Sequence, residues 1–400
     1  MKKEVDEKDR ITGSVEKEHM PALDGLRGLA VLLVVVAHVF PVSQLFAYYK
    51  GPAILLSIGS TGVDLFFVLS GFLITGILCE SKGSQHYFKS FYVRRVLRIF
   101  PLYYALLAVF IGGTFVPALE NLWGPGNRWP YWIYLSNFYP EFAVAPHSFL
   151  LVCWSLAIEE QYYLVWPWVV RSLQIRGLIL AAAILFVGSW VLRIILYGPN
   201  SDHLYHFTFT HLDGIALGSL IRLLHINGHG LLFARRVFPY LLMTVICFWL
   251  YAGLDVTSID RVFYAPAMVQ FGWGLTTLMY GALLIVALNG RAFEIPFLMR
   301  WGKYSYAIYL THLIVFWFIH GTLRALTKTV GIDASWIDEF AGRAIMFCIA
   351  LFAIYFVGKL SWSYVEGPIN ELKRKFPYSR SEALGLAMNR KSAYSSRDRS

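Results

Sequence analysis

The stretch LDGLRGLAVLLVVVAHVF, residues 23–40, decides the fold class. It is apolar enough to start a membrane helix, yet Arg27 stands near its beginning and His38 deep in the apolar run. In an α-helix, 11 residues turn through about 1100°, within roughly 20° of three full turns. Arg27 and His38 therefore share one face, about 16 Å apart along the axis. Ionisable groups inside hydrocarbon are costly and mark functional candidates. Asp24, at the start of the run, is expected to cap the helix N-terminus.

The rest of the chain has the same character. Of 400 residues, 57% are hydrophobic and only 15% charged, with a mean hydropathy of +0.54. Soluble domains average about 25% charged residues, so an all-α, polytopic membrane bundle is expected. The 17% aromatic content fits, because Trp and Tyr collect where helices meet headgroups. A net charge of +10 would suit a nucleic-acid binder, but here the Lys and Arg residues cluster in short segments between apolar runs, which argues against one. Cys79, Cys153, Cys247 and Cys348 show no metal-ligand spacing and read as buried free thiols. No metal site is expected. Residues 1–20 read as a flexible polar tail, 21–370 as one membrane domain and 371–400 as a second flexible tail. The first apolar run lacks an A-x-A-like cleavage site and reads as an uncleaved anchor.

Runs of about 20 apolar residues are the unit of a helical membrane protein. About ten stand out, near 26–44, 57–79, 96–116, 148–170, 177–197, 206–224, 237–254, 265–288, 303–321 and 343–364. One alternate set of connecting segments is basic, with Lys82, Lys89, Arg94 and Arg95, then Arg171 and Arg176, Arg235 and Arg236, Arg291, Arg300 and Lys303, and last Lys373, Arg374 and Lys375. By the positive-inside rule both termini are cytoplasmic. Arg27 then lies at the cytoplasmic edge, and His38 near mid-membrane.

Several other polar residues converge on that depth. CWSLAIEEQYYLVWPW, residues 153–168, sets Ser155 and Glu159 four apart on one helix face. A carboxylate beside His38 would orient its imidazole and stabilise the imidazolium, as a general base needs. Glu160 projects about 100° away and is the weaker partner. In FYVRRVLRIFPLYY, residues 91–104, Arg95 and Arg98 present two guanidinium forks on one face, suited to phosphate; positive-inside anchoring is the bland alternative. STGVDLFFVLSGFLIT, residues 60–75, supplies Asp64 and Ser70, with Gly71 read as a point of close helix approach. YSYAIYLTHLIVFW, residues 304–317, places Ser305, Tyr309 and His312 on one face, and His312 is a rival general base. HFTFTHLDGIALGSL, residues 206–220, adds His211 and Asp213. For a lone histidine, hydrogen bonding between helices is the ordinary role.

These stretches together resemble the acyltransferase-3 family of integral membrane acyltransferases. The likeness is carried by the R-x10-H spacing of Arg27 and His38, by GVDLFFVLSGFLIT, by the R-x-x-R of RRVLRIFP, by the S-x-x-x-E of WSLAIEEQYYLVWP and by YSYAIYLTHLIV. They occur in the family's order over roughly residues 20–370. The resemblance implies transfer of an acyl group, usually acetyl from acetyl-CoA, to a hydroxyl of a carbohydrate or small molecule. It implies acyl-CoA binding by Arg27, Arg95 and Arg98, catalysis by His38, and functional roles for Ser155 and Glu159. It further implies a bacterial inner (cytoplasmic) membrane, with lipopolysaccharide, exopolysaccharide and other polysaccharides among the acceptors. Two positions depart from the family's pattern. His211 stands where an arginine often precedes Asp213, and Gly367 separates Glu366 from Pro368 where a basic residue is usual. Some members carry an extra C-terminal hydrolase-like domain, and none is expected here.

The expected mechanism is two-sided. Acyl-CoA, a co-substrate rather than a resident cofactor, docks its phosphates on the arginines and runs its thioester toward His38. His38, oriented by Glu159 or Ser155, takes the proton of an acceptor entering through residues 117–148. Asp64, Ser70, Tyr309 and His312 support the site. The competing class is a proton-coupled carrier of a small solute or sugar, which would show similar buried groups together with a repeat between halves; the sequence shows no repeat. Nothing in it specifies an oligomeric state.

Overall fold

The computed structural model describes residues 20–113, 129–138, 149–198, 201–228, 232–254, 256–331, 333 and 335–378. Each of the ten apolar stretches forms a helix. They are α1 (Pro21–Val39), α2 (Gly62–Ser81), α3 (Tyr87–Gly113), α4 (Cys153–Ser172), α5 (Ile175–Leu196), α6 (Asp213–Ile226), α7 (Phe233–Gly253), α8 (Trp273–Leu288), α9 (Ser305–Val330) and α10 (Phe340–Ser361). Short helices lead into α2 and α9, over Lys50–Ser57 and Pro296–Lys303, and no strand occurs among the described residues. The chain is an all-α, multi-pass membrane bundle.

Seven helical stretches are long and apolar enough to cross a membrane: α1, α5, α7, α9, and the segments 50–81, 268–288 and 340–375 that contain α2, α8 and α10. The other three have polar reasons to fall short. α4 has Glu159, Glu160 and Gln161 in succession at its centre, and α3 carries Lys89, Arg94, Arg95 and Arg98 in its first half. α6 has 14 residues, which rise about 21 Å against a hydrocarbon core of about 30 Å. The sixth expected span is therefore a short helix approached by two 3-10 turns, Ser201–Tyr205 and Thr208–Thr210.

Burial sorts the helices into an inner and an outer set. The stretches holding α2 and α8 are 72% buried, whereas those of α5, α7 and α10 are 22%, 17% and 22% buried. The outer helices turn Leu, Ile, Val and Phe outward, among them Ile184, Val187, Met243, Ile345 and Phe352, as a lipid-facing surface requires. Cys247 and Cys348 lie on this surface, so only Cys153 is the fully buried free thiol expected of all four, with Cys79 intermediate.

Close helix approach fixes the frame around the site. A Cβ on Gly71 would stand 1.9 Å from the Ile215 carbonyl oxygen, and one on Gly218 would stand 1.9 Å from that of Val68. α2 and α6 thus touch backbone to backbone through reciprocal glycines, the packing read above for Gly71.

Two helix boundaries differ from expectation. α1 begins at Pro21, whose fixed φ and missing N–H suit the first helical position. Asp24 is therefore inside the first turn and accepts from Arg27 Nη1 at 2.8 Å rather than capping the helix. The same early start ends α1 at Val39 and leaves His38 in its last turn. At the other end of the chain, the flexible tail expected from residue 371 begins with packed structure. Leu372–Lys375 form a 3-10 turn, and Tyr378 is buried at 4% exposure. Residues 1–19 and 379–400 of the two expected tails lie outside the described residues.

Candidate active site

The site begins at the arginine-rich N-terminal halves of α1 and α3. Arg27 on α1 and Arg95 and Arg98 on α3 line one part of a cavity of about 240 Å³. Ser70 of α2, Ser155, Glu159 and Tyr163 of α4, and Ser305, Tyr306 and Tyr309 of α9 line the rest, together with apolar residues from Val63 to Ile77. Seven residues expected at the site therefore converge on one space: Arg27, Ser70, Arg95, Arg98, Ser155, Glu159 and Tyr309.

The three arginines differ in how they are held. Arg27 is paired to Asp24. Arg95 Nη2 donates a long bond, 3.5 Å, to the Tyr378 hydroxyl. Arg98 has no hydrogen-bond or ion-pair partner among the described residues, although it lies within electrostatic reach of Arg27, Arg95 and Glu366. Glu159 lines the same cavity and feels Arg98 and Arg95 electrostatically, but it makes no ion pair with Arg98, whose half-buried guanidinium keeps its N–H donors for an anion.

Glu159 does not meet His38. Its Oε2 accepts from the Tyr163 hydroxyl at 3.1 Å, and that hydroxyl also bonds Ser70 Oγ. The depth argument that paired Glu159 with His38 assumed a first helix centred several residues later than α1. Tyr163, one turn beyond Glu159, was passed over in the sequence, although the four-residue spacing already set it on the same face. Ser155 does not reach His38 either. Its Oγ bonds the Tyr309 hydroxyl at 2.7 Å and its own helix at the Val152 carbonyl, 3.2 Å away. Tyr309 donates to the same carbonyl at 3.1 Å.

His38 is instead partnered by its sequence rival. His312 Nε2 lies 3.2 Å from His38 Nδ1, and the two rings stack with centroids 5.3 Å apart. His312 Nδ1 is 2.7 Å from the Tyr309 carbonyl oxygen, so Nδ1 carries the proton and donates. Nε2 of His312 is then a lone pair, and His38 Nδ1–H donates to it. Val34, one turn back on α1, offers a backbone acceptor to the same imidazole. This assignment leaves His38 Nε2 unprotonated. His312 is wholly buried, and His38 is the member of the pair that reaches the surface of the bundle. A base oriented by a second residue on its other nitrogen is the arrangement general-base catalysis uses. Tyr309 joins the two halves: its hydroxyl faces the cavity beside Ser155, and its carbonyl holds His312.

Asp64 is fully buried outside the cavity lining and accepts from His211 Nε2 at 2.7 Å. Next to this pair, Arg193 of α5 meets Asp213 at 2.7 Å, and Arg193 Nη1 donates to the Thr210 carbonyl at 2.6 Å. The arginine serving Asp213 thus comes from another helix, not from the position two residues before it. Among the described residues no group of three or more His, Cys, Asp or Glu side chains is arranged to hold a metal.

The class is an integral membrane bundle with an arginine-lined cavity and a histidine pair bonded to the backbone of Tyr309 on its wall. The chain belongs to the acyltransferase-3 family, whose acyltransferase domain matches residues 20–363. It is similar to a peptidoglycan O-acetyltransferase of Listeria monocytogenes, 28% identical over 393 residues, which covers 90% of this chain and 57% of that protein. A putative peptidoglycan O-acetyltransferase of Bacillus subtilis is 28% identical over 380 residues, 88% of this chain and 55% of the relative. A putative O-acetyltransferase of Staphylococcus aureus is 27% identical over 342 residues, 76% and 51% of the two chains. The chain spans a little over half the length of these relatives. No solved structure matches it significantly.

Proposed function

We propose that the protein moves an acetyl group from acetyl-CoA to a hydroxyl of a carbohydrate in the cell envelope. The relatives named for peptidoglycan make a cell-wall glycan the leading acceptor class, ahead of lipopolysaccharide, exopolysaccharide or a small molecule. The observation that carries this reading is Arg98, a cation without a partner among the described residues, facing a cavity whose far part adjoins the His38–His312 pair through Tyr309.

Acyl-CoA docks its diphosphate on Arg27, Arg95 and Arg98, which recognise it by charge-assisted, fork-shaped hydrogen bonds. The pantetheine arm runs along the cavity past Ser70 and Glu159 and brings the thioester to Ser155 and Tyr309. His38 Nε2 takes the proton of the acceptor hydroxyl as its oxygen attacks the thioester carbonyl. Negative charge develops on the carbonyl oxygen, and the Ser155 and Tyr309 hydroxyls, which now bond each other and the Val152 carbonyl, would turn from that carbonyl to donate to it. Collapse of the tetrahedral intermediate breaks the C–S bond. The CoA thiolate leaves and is protonated by the His38 imidazolium, which His312 keeps oriented. Reaction across the bilayer follows if the arginine end faces the cytoplasm of a bacterial inner membrane, with both termini inside. Packing of Phe376 and Tyr378 against the basic start of α3 supports placing these ends on one side. The expected acceptor entrance, residues 117–148, is described only over 129–138.

The test is transfer of radiolabelled acetyl from acetyl-CoA by the protein in proteoliposomes supplied with a glycan acceptor. His38→Ala should lower turnover by about 10²–10⁴-fold without changing the melting temperature in detergent. Near-normal turnover in that variant would remove His38 as the base. Label that enters the vesicle lumen only as an unmodified small solute would support the carrier instead.

A further inference from the structure

The described C-terminal segment is a wall of the arginine site. Ser90 Oγ donates to the Pro377 carbonyl at 2.9 Å, and Arg94 Nη1 donates to that of Phe376 at 3.2 Å. The Arg94 guanidinium lies 4.1 Å over the Tyr378 ring, and the Tyr378 hydroxyl accepts from Arg95. Four contacts thus hold residues 376–378 on the first turns of α3. This strap carries Lys373 with it. Lys373 Nζ donates to Asn370 Oδ1, is half-buried, and lies within electrostatic reach of Arg94, Arg95 and Arg98. Glu366 is a carboxylate in reach of both Lys373 and Arg98, itself bonded by Ser361 Oγ at 3.0 Å.

Like charges crowded at a half-buried site repel and cost stability unless a counter-ion binds. On the strap itself Arg374 pairs with Glu371 and Lys375 is exposed, so Lys373 is the half-buried strap cation beside the arginines of α3. We propose that Lys373 binds the 3′-phosphate of the donor nucleotide, completing a site whose inner arginines take the diphosphate. This rests on acyl-CoA being the donor. The thioester must travel toward the histidines, so the nucleotide is the part left outermost, and Lys373 is not among the residues lining the inner cavity. A lysine suits a single phosphate as a compact point charge, while the arginine forks suit the bridged diphosphate. Phosphate groups of anionic lipids offer the same chemistry, and the test separates the two sources.

The experiment measures steady-state transfer by the full chain in nanodiscs with two donors, acetyl-CoA and 3′-dephospho-acetyl-CoA, in neutral and in anionic lipid. The wild type should show a KM about tenfold higher for the dephospho donor, the loss of one charge-assisted contact, at similar kcat. Lys373→Gln should raise KM for acetyl-CoA to that same level and leave the dephospho donor unchanged, and Lys373→Arg should largely restore discrimination. Equal effects of Lys373→Gln on both donors, or an effect that appears only in anionic lipid, would overturn the assignment. Normal discrimination in Lys373→Gln would overturn it too while leaving the donor reading intact. Transfer from neither donor in the wild type would sink both.

Discussion

Two clusters of buried charge occupy this bundle, and they are built to opposite rules. At one, Arg193, Asp213, His211 and Asp64 are 0–2% exposed, and each carboxylate meets a basic side chain at 2.7 Å. Arg193 and Asp213 approach to 2.7 Å without an aligned N–H···O between the facing atoms, so Coulomb attraction holds them more than a directional hydrogen bond. At the other, Arg95 and Arg98 line open space, and no carboxylate is within ion-pair distance of either among the described residues. Paired buried charges lock helices together and respond to little. The cavity arginines share their wall with Glu159 without an ion pair to it, and on the function proposed above their free N–H donors are what an anion would engage.

Removing a partner from the paired cluster should have the largest effect. Asp213→Ala leaves the Arg193 charge buried without compensation and should destabilise the fold by about 3–5 kcal/mol, read as a large drop in detergent melting temperature. A small drop would mean that the pair is not structural. Arg98→Ala should do the reverse. Melting should stay the same or rise, while KM for acyl-CoA rises about tenfold or more and KM for acceptor does not. A matching rise in the acceptor KM would break the distinction between the clusters. The smallest effect is expected at Tyr163→Phe, which removes the hydroxyl joining Ser70 to Glu159 and should cost about 1 kcal/mol. A loss of turnover as deep as that of His38→Ala would instead put Tyr163 in the chemistry.

The cavity was more legible in the sequence than the base. Helical spacing set Ser155 with Glu159 and Arg95 with Arg98 on common faces, and each pair lines the same space. Spacing works here because it is a local property of one helix. Pairing across helices is not local. His38 and His312 are 274 residues apart, and His211 and Asp64 are 147 apart. All four residues stood out as polar groups in apolar runs, but their partners depend on where each helix begins and how it is offset. An error of a few residues at the start of α1 moved His38 by about a turn and assigned it Glu159 in place of His312.

Sequence alone determined the membrane bundle, the approximate order and placement of its helices, and the family, because hydrophobicity and helical period are written along the chain. It could not determine which charges are paired. Only the tertiary structure decided that Asp213 and Asp64 are partnered by Arg193 and His211 while Arg98 is left facing a cavity. The physical reason is that an ion pair forms over about 4 Å, a distance set by helix offsets and glycine-mediated contact, not by spacing in the chain. The tertiary structure likewise turned two rival histidines into one hydrogen-bonded pair, and part of an expected tail into a wall of the arginine site.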